Sequence, residues 1–197
     1  MRADWLTEAP VKDRRVRRSR AALMAAAVDL VSARDSTAVA VSEIAEAADV
    51  SRQVLYQQFG DRDSLLLAAA QDLVRRELLG ELPEDERAAL LALAGHFAAR
   101  RRFYRALLTG ASAYAFTEAL TSVFLPLNRR HLGHALGDRL GAPEIEDLAT
   151  FLTGGAGAVV NAWVVDGPDP LDPDGFTDRL MRIRSVVTAT ITKEAGR

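Results

Sequence analysis

Apolar positions along the chain recur at helical spacing through most of its length, and no segment alternates with the period of two that a half-buried strand requires. In the segment 21–31 the stripe is Leu23, Ala26, Ala27, Leu30 and Val31, a first helix whose connection to the next runs from Ala33 to Ala40. In 41–48 it is Val41, Ile44, Ala45 and Ala48, and in 51–59 it is Leu55 and Phe59, one turn apart. Between these two short helices stands Asp49, a residue whose short side chain tolerates the left-handed conformation of a tight turn. Ser51 is a natural N-cap for the second of them. A fourth helix is expected from an Asp61 cap, with Ser64 three residues on, to Gly80. Beyond the Gly80–Pro83 break, helices are expected at about 84–100 and 103–109, and a helical pattern over 111–140 contains Pro126, which predicts a kink or two shorter helices. Two further helices are expected over 143–165 and 173–193, separated by the irregular stretch DGPDPLDPDG. The fold expected is all-α, with a small N-terminal three-helix unit (1–62) joined to a larger helical one (63–197).

The segment 41–59 is where pattern turns into chemistry. With Leu55 and Phe59 facing inward, about 100° per residue places Gln53 and Gln57 on the opposite side, flanked by Arg52 and Tyr56, with Gln58 beside them. Glutamine pairs bidentately with adenine and arginine with guanine in the major groove, which admits one helix, so the stretch reads as a helix-turn-helix with its recognition helix second.

Charge sharpens that reading. The formal net charge of the 197 residues is only -2, yet Lys12, Arg14, Arg15, Arg17, Arg18 and Arg20 gather just ahead of the reader. Cations at a helix N-terminus oppose its dipole, a cost that DNA phosphates would offset. The chain has no cysteine, so disulfides and thiolate metal sites are excluded and a reducing cytoplasm is the natural setting. No signal peptide is legible, and no apolar run is expected to span a membrane. Residues 1–11, with Trp5 as their only large anchor, are expected to form an arm.

In order and register, Ile44-Ala45, Val50-Ser51, Leu55-Tyr56, Phe59 and Leu65 resemble the N-terminal signature of the TetR family of bacterial transcription regulators, from about Arg17 to Leu66. Four positions depart from the usual pattern: Ala40 stands for a capping Thr, Asp49 for Gly, Val54 for Thr or Ser, and Arg62 for Lys. The resemblance implies a homodimeric regulator, a repressor released from a palindromic DNA operator by a small apolar effector. It implies phosphate or base contacts by Arg17, Arg18, Ser42, Arg52, Gln53, Tyr56, Gln57, Gln58 and Arg62. It also implies a dimer interface formed by the last two helices, here Phe151, Gly155, Ala158, Leu180, Ile183 and Val187.

The remaining features are less specific. Glycines at 154, 155 and 157 cost about 1 kcal/mol each in a helix interior, so close approaches inside the bundle and against another subunit are expected to offset them. Phe97, Phe103, Tyr104, Tyr114, Phe116, Phe124, Phe151 and Trp163 suggest an effector cavity with His96, Asn128, His131, His134 and Asn161 as polar candidates, against the alternative of ordinary core. His131 and His134 are three apart but lack a placed carboxylate, so no metal or cofactor is expected. A helical enzyme is the contrasting class, for which the sequence offers no nucleophile with a base; a third is a DNA-binding dimer that answers to a partner protein.

Overall fold

The computed structural model describes the backbone of residues 11–194 and the side chains of 14–80 and 82–186. Residues 1–10 with Trp5, and the side chains of Lys12 and Val187, lie outside them. Among the described residues the structure is helical without strands: α1 (Val11–Arg34), α2 (Val41–Ala47), α3 (Arg52–Phe59), α4 (Arg62–Leu73), α5 (Glu86–Ala99), α6 (Arg101–Thr109), α7 (Ala113–Leu136), α8 (Ala142–Asp166) and α9 (Pro173–Glu194).

Each helix end has a local cause. Asp35, at φ 51°, turns the chain out of α1, and Asp49, at φ 52°, makes the expected left-handed turn between α2 and α3. Ser51 accepts the Val54 N–H at 3.4 Å, Asp61 that of Ser64 at 2.7 Å, and Asp85 that of Ala88 at 2.8 Å. Gly60, at φ 82°, closes α3 in a conformation that side chains rarely adopt. At the start of α2, Ala40 has no side-chain acceptor, and Glu43 makes only the other half of a capping box by accepting the Ala40 N–H at 3.0 Å.

Buried Leu23, Ala27 and Val31 of α1, Ile44 of α2, Leu55 of α3 and Leu65, Leu66 and Ala70 of α4 form one core. That core continues without interruption through Phe97, Phe103, Tyr104, Leu107 and Phe116 to Trp163 and Phe176, so α1 and α4 are packed on both sides. A smaller cluster of Leu132, Ile145 and Ala149 joins the far ends of α7 and α8.

Three elements differ from expectation. The fourth helix does not run as α-helix to Gly80; after Leu73 it widens into a π-helical turn (Val74–Leu78) and ends in a 3₁₀ turn (Leu79–Glu81). Leu78 and Val74 are both buried there, so the wider turn keeps two apolar side chains inward where the chain leaves α4. Helix α7 is neither split nor extended to Leu140: it is continuous through Pro126 and stops at Leu136. Pro126 removes the N–H that would bond the Ser122 carbonyl, but both residues are exposed, where water can take its place. Finally, α8 is long and apolar enough to cross a membrane by length and composition, contrary to the sequence expectation. Its apolar residues divide between the core (Ile145, Ala149, Val160, Trp163, Val164) and an exposed face of small residues, a division that serves packing on two sides.

Candidate nucleic-acid interface

The recognition surface is built by burying one side of α3. Leu55 is fully buried and Phe59 half-buried against α1 and α4, and this leaves Arg52, Gln53, Tyr56 and Gln57 exposed on the other side. These four are brought together as the periodicity predicts. Tyr56, 52% exposed, is large enough that this exposure suits a surface made to be covered. Ser42 is exposed at the start of α2, and Arg17 and Arg18 are exposed on α1.

Gln58 is different, because its side chain is half-buried and turned towards α1. Its Nε2 donates to Ser19 Oγ at 2.7 Å, while Ser19 Oγ donates to the Val16 carbonyl at 3.0 Å. Arg20, from the basic run, is also turned inward: its Nη1 donates to the Gln58 carbonyl at 3.2 Å and its guanidinium lies 4.2 Å from the centre of the Phe59 ring. Together these contacts fix the end of α3 against α1, one turn from Arg17 and Arg18. Neither role was legible in the sequence, because both depend on residues 38 or 39 positions apart.

Two ionic features frame the reader. Arg34 grips Glu43 with both amines, at 2.8 and 2.5 Å, and this pairing together with the Ala40 N–H holds the Glu43 carboxyl down to about 2. Arg62, at the start of α4, donates its Nε to Asp63 Oδ1 at 3.0 Å. If Arg62 grips a phosphate, Arg62→Ala should weaken binding to all duplexes alike and flatten the logarithmic salt dependence by about one unit of slope. Titrations of two unrelated duplexes at several salt concentrations check this, and a loss confined to one of them contradicts it.

The residues expected to line an effector cavity are distributed unevenly. Phe97, Tyr104 and Phe116 form one contacting group, with ring centres 4.6 Å apart for Phe97 and Tyr104 and 5.8 Å for Tyr104 and Phe116; Phe103 joins at 5.5 Å. Phe124 is half-buried against the same core. Tyr114 and Phe151, 79% and 70% exposed, stand on the surface instead, because helical spacing alone does not say which side of α7 or α8 meets the core. Asn128 donates to Thr153 Oγ1 at 2.8 Å, and Thr153 donates in turn to the Ala149 carbonyl at 2.6 Å, so this amide links α7 to α8. Trp163 stacks on Phe176 at 4.0 Å, between α8 and α9, and Asn161 is half-buried.

A polar cluster that sequence reasoning did not assemble lies where this aromatic group meets the π-helical turn. His96 Nε2 and the Tyr104 hydroxyl share a hydrogen bond of 2.7 Å, His96 Nδ1 lies 3.7 Å from Glu77, and Arg100 pairs with Glu77 at 2.9 Å. Burial pushes the Tyr104 hydroxyl up. Burial also lowers the His96 pKa from its ordinary 6.5, and Glu77 opposes that shift only in part. A histidine lowered on folding binds its proton more readily in the unfolded chain, so the stability it contributes is complete above 6.5 and is lost as the pH falls below that value. Melting followed from about pH 8 to about pH 5 should therefore show a decline that His96→Leu diminishes, whereas an identical decline in both proteins would contradict it.

The dimer residues also divide. Gly155 and Ala158 are exposed with Phe151 on α8, and Ile183 is 46% exposed on α9, but Leu180 is buried in the chain's own core. A Cβ added at Gly154, Gly155 or Gly157 would meet nothing within 4 Å in the chain. The expectation that these glycines serve packing inside the bundle is therefore corrected, and an approach from outside remains.

Residues 23–69 match the model for bacterial regulatory proteins of the tetR family. In three dimensions the chain is similar to the TetR family repressor AlkX from a Dietzia species, with 26% identity and a TM-score of 0.52 over 83% of this chain and 91% of that one. It is also similar to the dihydroxyacetone kinase operon activator DhaS, with 16% identity and a TM-score of 0.59 over 88% and 96% of the two chains. A Rhodococcus protein described as a TetR-family transcriptional regulator gives 19% identity and a TM-score of 0.59 over 84% and 97%. No curated protein matches the sequence.

Proposed function

We propose, from the match of residues 23–69 to the tetR family of bacterial regulatory proteins and the likeness to AlkX, that the chain acts in the cytoplasm as a homodimeric repressor of transcription, released from its operator by a small apolar effector. The observation that carries the reading is the exposed polar face of α3, with Arg52, Gln53, Tyr56 and Gln57 held outward by a recognition helix whose other face is buried. Residues 1–62 would bind DNA, and 63–197 would dimerise and take the effector. Arg17, Arg18, Ser42 and Arg62 would grip phosphates, which position the reader without carrying sequence information.

A single short helix reads few base pairs, so two copies about 34 to 36 Å apart on a palindrome would supply the specificity. The glycine-bearing face of α8, with Phe151 and Ala158, and Ile183 of α9 would form the dimer seam. Repression rather than activation is supported by the likeness to AlkX, which is described as a repressor implicated in n-alkane biodegradation, a chemistry that also agrees with an apolar effector. Such an effector would enter the group of Phe97, Tyr104 and Phe116, whose neighbour is the π-helical turn at the end of α4. A shift there would move Arg62 at the other end of the same helix. The ring-on-ring contacts of that group favour one second reading, a dimer that answers to a partner protein.

The test is transcription in vitro from a promoter overlapped by a duplex that the native protein has enriched from a random pool. Transcription should fall as protein is added and recover with an apolar compound from a screened set. Unaltered transcription at saturating protein would refute repression, and repression that no apolar compound relieves would favour the partner-controlled dimer.

A further inference from the structure

The end of α6 meets the connection between α1 and α2 at two points, in addition to the core shared by the two helices. A Cβ at Gly110 would stand 2.8 Å from Thr37 Oγ1, 3.4 Å from Thr37 Cγ2 and 2.9 Å from the Ala106 carbonyl, so the chain approaches closely enough to require glycine. One turn earlier, Arg105 lies 3.5 Å from the carboxylate of Asp35, the residue that holds the left-handed turn. Between these contacts Ala106 and Leu107 of α6 are buried in one core with Val31 of α1 and Val39 of the connection. From there the path to the reader is short, because Arg34 grips Glu43 and Glu43 caps α2, against which α3 packs.

We propose that the end of α6 is a second seat for the DNA-binding segment, with Gly110 and Thr37 as positioning residues that fix the reader's orientation on the dimer body independently of α4. This rests on the reading above as a dimer that binds two half-sites. A reader attached through α4 alone would pivot about the start of that helix, whereas contact at the α1–α2 connection, on a different element, removes that freedom. The seat sets the separation of the two recognition helices, and hence the half-site spacing that the dimer accepts.

The experiment uses the full-length protein and the duplex that the native form enriches from a random pool, compared with the same duplex carrying one extra base pair between its half-sites. Gly110→Ala should bind the enriched duplex about fivefold or more weakly and should discriminate less between the two spacings. Thr37→Ala/Gly110→Ala removes the side chain that the new methyl strikes but leaves the Ala106 carbonyl at 2.9 Å, so it should restore part of both affinity and discrimination. Unchanged binding by Gly110→Ala would overturn the proposal. So would a loss undiminished in the double variant, since the methyl would then act on the Ala106 carbonyl within α6 alone. If circular dichroism shows that Gly110→Ala is unfolded, Arg105→Glu takes its place, with an expected loss of about two- to fivefold and the proposal overturned by none. Should the native protein enrich no duplex at all, the dimeric DNA-binding reading fails before any variant is compared.

Discussion

If the chain dimerises through α8 as proposed, replacing Phe151 and Ala158 together by glutamate is expected to leave a folded monomer and to weaken binding to a two-half-site duplex on the order of 100-fold or more. Both residues are exposed in the single chain, Phe151 to 70%, so the new carboxylates are solvated in the monomer and leave its core intact. In the dimer the same carboxylates would be buried against an apolar partner face without counter-charges, which is costly for each. Glycines at 154, 155 and 157 sharpen the argument, because nothing within the chain occupies the space that a side chain would take there. Their helix penalty, about 1 kcal/mol each relative to alanine, would be offset by the partner in the proposed dimer. Losing the dimer turns the second half-site contact from an intramolecular event into an independent weak one. Sedimentation and duplex titration check the two halves of this expectation, and a dimer of native strength in the variant would remove α8 from the interface.

The second large effect concerns base reading. Gln53→Ala and Arg52→Ala are each expected to weaken binding to the enriched duplex by roughly 1 to 3 kcal/mol and to relax discrimination at one position per half-site. Both side chains are exposed on a helix fixed by Leu55, Phe59 and the contacts of Ser19 and Arg20, so truncation should leave the helix in place. The losses should fall on matched sequences while binding to unrelated duplexes stays nearly constant, the reverse of the pattern expected for Arg62. Equal losses on matched and unrelated duplexes would assign both residues to the backbone.

What could be read from the sequence followed from locality. The turn at Asp49, the cap at Ser51 and the outward side of α3 depend on neighbours within a few positions, and the structure has all three. The cap of α2 was only half legible: Ala40 lacks the acceptor, and the signal lay three residues on in Glu43, whose grip by Arg34 comes from another helix. Gln58 and Arg20 read as DNA-facing because their residue types suit DNA, yet Ser19 and Phe59 engage them through tertiary packing. Aromatic residues could be counted but not placed. Tyr104 is fully buried and Tyr114, ten positions on, stands in solvent, a difference set by how α6 and α7 pack. The widened turn at Val74–Leu78 has no mark in the pattern, since Val74 and Leu78 are as compatible with an ordinary helix.

Side-by-side enrichment of random duplexes by the native chain and by Gln53→Ala decides whether α3 reads bases. The native protein is expected to enrich two inverted half-sites about one helical turn apart, and Gln53→Ala the same arrangement with preference lost at one symmetric pair of positions. Enrichment of no sequence by the native protein, or of an identical sequence by both, would contradict it.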